Sequence, residues 1–124
     1  MTFVESVKTC LSKYADFSGR ATRSEYWWFY LAFILFYIAG LVLAGILSSI
    51  SETLGMIGFG IVGLGALGFI LPSLAAGVRR LHDVDKSGWF LLLGLIPIVG
   101  LVLLYFFVIP GTPGDNRFGA PPAN

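Results

Sequence analysis

Charge is what this chain of 124 residues has least of. Only 12% of its residues are charged, against about 25% in ordinary soluble domains, while 56% are hydrophobic. Between Tyr26 and Val78 the one ionisable carboxylate or base is Glu52. A water-soluble packed domain is therefore not the starting assumption, and a chain of this length makes one domain. Cysteine is nearly absent too: a lone Cys10 excludes an intramolecular disulfide and reads as a small buried hydrophobe. With no CxxC and no Cys/His cluster, no zinc site, other metal or cofactor is expected. A cleavable leader is not expected either, because the first 25 residues carry mixed charge and the apolar run from Tyr26 is about twice the length of a leader's apolar core.

What charge there is lies segregated. Lys8, Lys13, Arg20 and Arg23 crowd the start, and Arg79, Arg80 and Lys86 a hinge at 79–88 that also holds the only histidine, His82. The net charge of +1 says little; its distribution says more, and no nucleic-acid partner is expected. The charges of Arg79, Arg80, Asp83, Asp85 and Lys86 at a bilayer centre would cost on the order of 12 to 17 kcal/mol, so the hinge belongs at a membrane face.

The apolar runs predict an all-α membrane protein of about three transmembrane helices. Residues 26–50 are charge-free and about 37 Å long as a helix, with Tyr26, Trp27, Trp28 and Tyr30 as an aromatic belt. Thr22-Arg23-Ser24-Glu25 has the form of a capping box that starts this helix near Arg23. Gly40, Ala44 and Ser48 give it a small-residue face for close helix approach. After a polar turn at Ser51-Glu52-Thr53, residues 54–78 form the second span, rich in glycine and with a kink expected at Pro72. Residues 89–109 supply a third run, interrupted by Gly94, Pro97 and Gly100, which is one kinked span or a re-entrant pair of short helices. Ahead of these, residues 2–15 place Phe3, Val7, Cys10, Leu11 and Tyr14 at helical spacing, an amphipathic interfacial helix with a stop at Gly19. The tail, 110–124, is dense in turn formers and reads as irregular. Lysine and arginine counts put the N-terminus and the 79–88 hinge in the cytoplasm, with the tail outside for three spans or back beside the hinge for a re-entrant third run.

Three blocks carry a resemblance: Phe17 to Trp27 (FSGRATRSEYW), Val78 to Trp89 with its Arg-Arg-Leu-His-Asp core and Ser-Gly-Trp end, and Gly111 to Gly119 (GTPGDNRFG). Together and in order they resemble the bacterial inner-membrane family catalogued as domain of unknown function 805, over nearly the whole chain. The resemblance implies a small polytopic inner-membrane protein without an established activity. It also implies recurring polar positions at Arg20, Arg23, Glu25, Arg79, Arg80, His82, Asp83, Ser87, Asn116 and Arg117, with no catalytic roles attached.

Chemistry is harder to find. Gly58-Phe59-Gly60-Ile61-Val62-Gly63 matches GxGxxG, but inside an apolar run at bilayer depth, where helix packing explains it better than a dinucleotide. His82, Asp83 and Ser87 hold the ingredients of a nucleophilic triad without a nucleophile elbow or an oxyanion site. Their commoner roles are structural: Asp83 pairing with an arginine, His82 bonding a backbone carbonyl, Ser87 capping the next helix while Trp89 anchors it. Arg20 or Arg23 with Arg79, Arg80, Glu25, Asp83 and Asp85 predict an ion-pair network joining the N-terminal segment to the hinge. The favoured function is a non-enzymatic adaptor whose basic cytoplasmic face, at the positions named above, binds anionic phospholipid headgroups or a membrane-protein partner. An oligomeric pore or transporter component is the alternative class, with homo-oligomers along the glycine face, although no ionisable residue stands at mid-membrane. A membrane-embedded enzyme using the His82/Asp83 loop ranks below both.

Overall fold

The computed structural model describes residues 1–122. Its elements are α1 (Phe3–Ser12), α2 (Arg23–Ile50), α3 (Glu52–Asp83), a 3-10 segment (Gly88–Leu95) and α4 (Gly100–Val108). Among the described residues there is no strand, only an isolated bridge between Asn116 and Gly119. Burial is inverted relative to a soluble protein. Leu64 is 71% exposed and Met56 68%, whereas Arg79 and Arg80 are fully buried. An apolar exterior around a polar interior end is stable only where the surrounding solvent is hydrocarbon.

Two helices, α2 and α3, are long and apolar enough to cross a membrane. They pair antiparallel in a register set by small residues. A Cβ at Gly55 would lie 2.8 Å from the Cα of Ser48, and one at Gly58 would lie 3.2 Å from the Cα of Ala44. Gly40, one step further along the face, meets Val62 in the same register. Lipid tails give helices no hydrophobic reason to associate, so this backbone-level approach is what holds the hairpin. The turn between them is a single residue: Ser51 ends α2 and its Oγ accepts from Leu54 N at 3.0 Å to begin α3. The expected three-residue turn is shorter because one hydroxyl does the capping.

One open expectation is decided and two are corrected. The third apolar run takes the re-entrant form rather than one kinked span: it goes out as a 3-10 segment and returns as the nine-residue α4, each too short to span, which leaves two helices of spanning length among the described residues in place of about three. The break falls at Ile96 to Val99, where Ile98 adopts φ +70, and the chain comes back to the hinge, with Thr112 N donating to Asp83 O at 2.7 Å. Second, Arg79 to Asp83 are not loop but the last turns of α3, which continues unbroken through Pro72. Third, Thr22 caps α2 through Glu25 N at 3.1 Å, but Glu25 does not complete the box, because its carboxylate is taken by Arg79. The complete capping box is at Thr2 and Glu5, opening α1, which packs on α2 and α3.

Candidate functional site

The recurring polar residues converge where the N-terminal segment, the end of α3 and the tail meet. Asp83 is the centre: Arg20 Nε reaches its Oδ1 at 2.9 Å and Arg80 Nη1 its Oδ2 at 2.6 Å. Arg79 pairs with Glu25, and the carboxylates and guanidiniums of all three pairs are at most 7% exposed. Buried ion pairs are tolerable only when their remaining donors are satisfied. Arg20 meets this condition fully, donating also to the carbonyls of Thr112 at 2.6 Å, Gly114 at 2.7 Å, Gly119 at 3.2 Å and Asp83 at 3.3 Å. Arg79 does not: its Nε and Nη2 have no partner.

Arg80 and Arg23 serve α4. A helix ends with unsatisfied carbonyls, and lipid offers them nothing. Here Arg80 donates to Phe107 and Ile109, Arg23 to Val108 at 3.2 Å, and Trp27 Nε1 to Phe107 at 3.0 Å. The hinge and the start of α2 thus cap the re-entrant helix together.

His82 donates through Nδ1 to Gly19 O, given the carbonyl partner, at 2.9 Å, and its ring stacks on Phe118 with centroids 3.8 Å apart. Asn116 Nδ2 donates to His82 O at 2.9 Å. Arg117 pairs with Asp85 at 3.1 Å on the surface, and this hydrogen bond holds the Asp85 carboxyl below its usual range. Ser87 stands apart from these, its Oγ accepting from Trp89 N at 3.3 Å at the start of the 3-10 segment. His82, Asp83 and Ser87 therefore have three unrelated sets of partners and form no relay.

The expected basic face is corrected in one respect. Arg20, Arg79 and Arg80 are buried and cannot meet a headgroup directly; only Arg23 and Arg117 of the arginines are exposed. Arg23 lines a polar cavity of about 320 Å³ with Thr22, Ser24, Asp83, Pro110 and Gly111. Gly111, Thr112, Gly114 and Gly119 belong to the third resembling block but not to its recurring polar positions. Their signal is the glycines of the 111–119 block, since Gly114 and Gly119 take φ +71 and +116. Burial, and after it the neighbouring Glu25 charge, pushes the Cys10 thiol up to about 11. No group of three or more metal-ligating side chains occurs among the described residues.

Comparison with known proteins gives the same answer along the chain. A profile described as protein of unknown function (DUF805) matches residues 14–120. Inner membrane protein YhaI of Escherichia coli (strain K12) is 42% identical over 113 residues, 90% of each chain. Inner membrane protein YhaH of the same strain is 43% identical over 119 residues, 90% of this chain and 91% of that one. No solved structure matches.

Proposed function

The chain belongs to the DUF805 family and is an integral membrane protein akin to inner membrane proteins, and from that premise we propose a non-enzymatic module that binds an anionic headgroup at its charged end. The observation that carries this reading is a charge imbalance. At the polar cavity stand Arg23 in the wall and Arg20 and Arg80 on the Asp83 carboxylate, three guanidiniums against one carboxylate. Both Asp83 oxygens are already held by arginines, so the carboxylate in the cavity wall opposes an incoming anion little. Arg23 makes the direct contact, and the two buried guanidiniums of Arg20 and Arg80 add a field that low dielectric leaves poorly screened. A lipid phosphate fits this demand, because the cavity lies at the end of a membrane helix, at headgroup level.

All eight lysines and arginines gather at this end, since the returning tail brings Arg117 to Asp85. The positive-inside bias supports a cytoplasmic position for the N-terminus, the hinge and the tail together.

The test is lipid retention in mild detergent, read by native mass spectrometry with dioleoylphosphatidylglycerol and dioleoylphosphatidylcholine as probes. The wild type keeps the anionic lipid preferentially, less so as salt rises, and Arg23→Gln loses the preference. Equal retention of both lipids by the wild type overturns the reading.

A further inference from the structure

A second cavity, of about 530 Å³, lies on another side of the hinge, between the end of α3, the 3-10 segment and the tail. It is graded in polarity. His82 and Ser87 contribute at one end, and Leu74, Val78 and Leu92 form its walls. From His82 to Leu74 is eight residues of α3, or about 12 Å along its axis. Leu74 and Leu91 also border a further apolar cavity of about 290 Å³, so the hydrocarbon-like track continues beyond the first.

Water is a poor occupant, because a bound water needs two to four polar partners and these walls offer them only at the His82 end. The side chains at the rim face outward: Trp89 is 78% and Leu92 55% exposed. In a bilayer that opening adjoins lipid tails. At the polar end the chemistry is specific. With Nδ1–H committed to Gly19 O and the ring clamped against Phe118, a neutral His82 presents Nε2 as an acceptor, and no described residue bonds it. An acceptor fixed there favours a headgroup carrying an N–H or O–H donor.

We propose that this groove holds one acyl chain of a bilayer phospholipid, with a primary-ammonium headgroup donating to His82 Nε2. This site is separate from the anionic cavity at Arg23, and its occupant is selected by a donor rather than by negative charge.

The probes are dioleoylphosphatidylethanolamine and dioleoylphosphatidylcholine, which share their chains and differ in ammonium donors. Native mass spectrometry of the detergent-purified protein is expected to show the ethanolamine lipid retained roughly fivefold over the choline lipid, the worth of one net hydrogen bond. Leu92→Trp, at an exposed wall position, fills the groove and abolishes retention of both. His82→Asn keeps a donor for Gly19 O, removes Nε2, and brings ethanolamine retention down to the choline level. Phosphatidylglycerol retention through Arg23 is unchanged by Leu92→Trp, so failure here is distinguishable from failure at the other cavity. Undiminished retention in Leu92→Trp overturns the groove, and an undiminished ethanolamine preference in His82→Asn overturns the headgroup assignment.

Discussion

The hydroxyl of Tyr14 donates to the carbonyl of Gly68 at 2.6 Å, across 54 residues of sequence. Gly68 stands four residues before Pro72, whose missing N–H would otherwise have bonded that carbonyl within α3. In lipid an orphaned carbonyl has no water to turn to, so a side chain from outside the helix repairs the gap that the proline opens. The repair also ties the segment after α1 to the middle of α3.

Tyr14→Phe should accordingly destabilise the protein by about 1 kcal/mol. In a Pro72→Ala background the restored N–H reclaims Gly68 O, and the same substitution should cost less than about 0.5 kcal/mol. Denaturant titration of the four proteins in micelles measures the cycle; equal losses in both backgrounds would show that the hydroxyl acts elsewhere.

Asp83→Ala leaves Arg20 and Arg80 buried without their counter-charge and should cost about 3–5 kcal/mol. Because the two arginines share one carboxylate, Arg80→Leu combined with Asp83→Ala should cost well below the sum of the singles. Thermal melts in detergent give the coupling, expected to exceed the 0 to 1 kcal/mol of an exposed pair.

Gly111 admits no side chain, since a Cβ there would overlap the Asp83 carboxylate. Gly111→Ala should push the tail off the hinge and speed hydrogen exchange at the Thr112 amide, which donates to Asp83 O. Gly114→Ala meets no atom within 4 Å but must hold φ +71, at about 1–2 kcal/mol, and should give the smaller effect.

The Asp85–Arg117 pair sets an acid limit on tail docking. The folded carboxyl titrates below its unfolded value, so its contribution is fully present above the ordinary aspartate range and disappears as pH falls through the lowered value. The Arg117 Nε–H resonance should follow that loss in a pH titration by NMR. Asp85→Asn, which still tolerates the positive φ of 61 at this position, should abolish the pH-dependent step.

Cys10 should resist alkylation. With its thiol pushed up to about 11 and no exposed surface, it should react with maleimide on the order of a hundredfold more slowly than a cysteine placed at exposed Ser12 in a Cys10→Ala background. Similar rates for the two would mean that α1 opens readily.

The elements legible in the sequence were those written in local pattern. Charge-free runs marked α2 and most of α3, Thr22 marked the start of α2, and Gly40, Ala44 and Ser48 marked the face that meets α3. The buried state of Arg79 and Arg80 was not legible, because an arginine reads as water-facing until its partners are known. Asp83 aside, those partners are distant: Arg79 reaches Glu25 across 54 residues, and Arg80 reaches Phe107 and Ile109 across 27 and 29, while Arg20, equally buried, reaches Gly119 across 99. Most are backbone carbonyls, which every residue carries and no sequence distinguishes. The tail failed for a related reason. Turn formers at Gly114 and Gly119 read as irregular structure, yet their positive φ angles turn those carbonyls toward Arg20.

The arginine contacts also impose an order on biosynthesis. Arg20 leaves the ribosome 92 to 99 residues before three of the carbonyls it holds, at Thr112, Gly114 and Gly119. Until then α2 and α3 can insert as a hairpin, but their charged end has no finished interior and must stay hydrated at the membrane surface. Closure of the charged end is thus gated by synthesis of residues 112–119: a nascent chain stalled before residue 112 carries an open, wet arginine cluster.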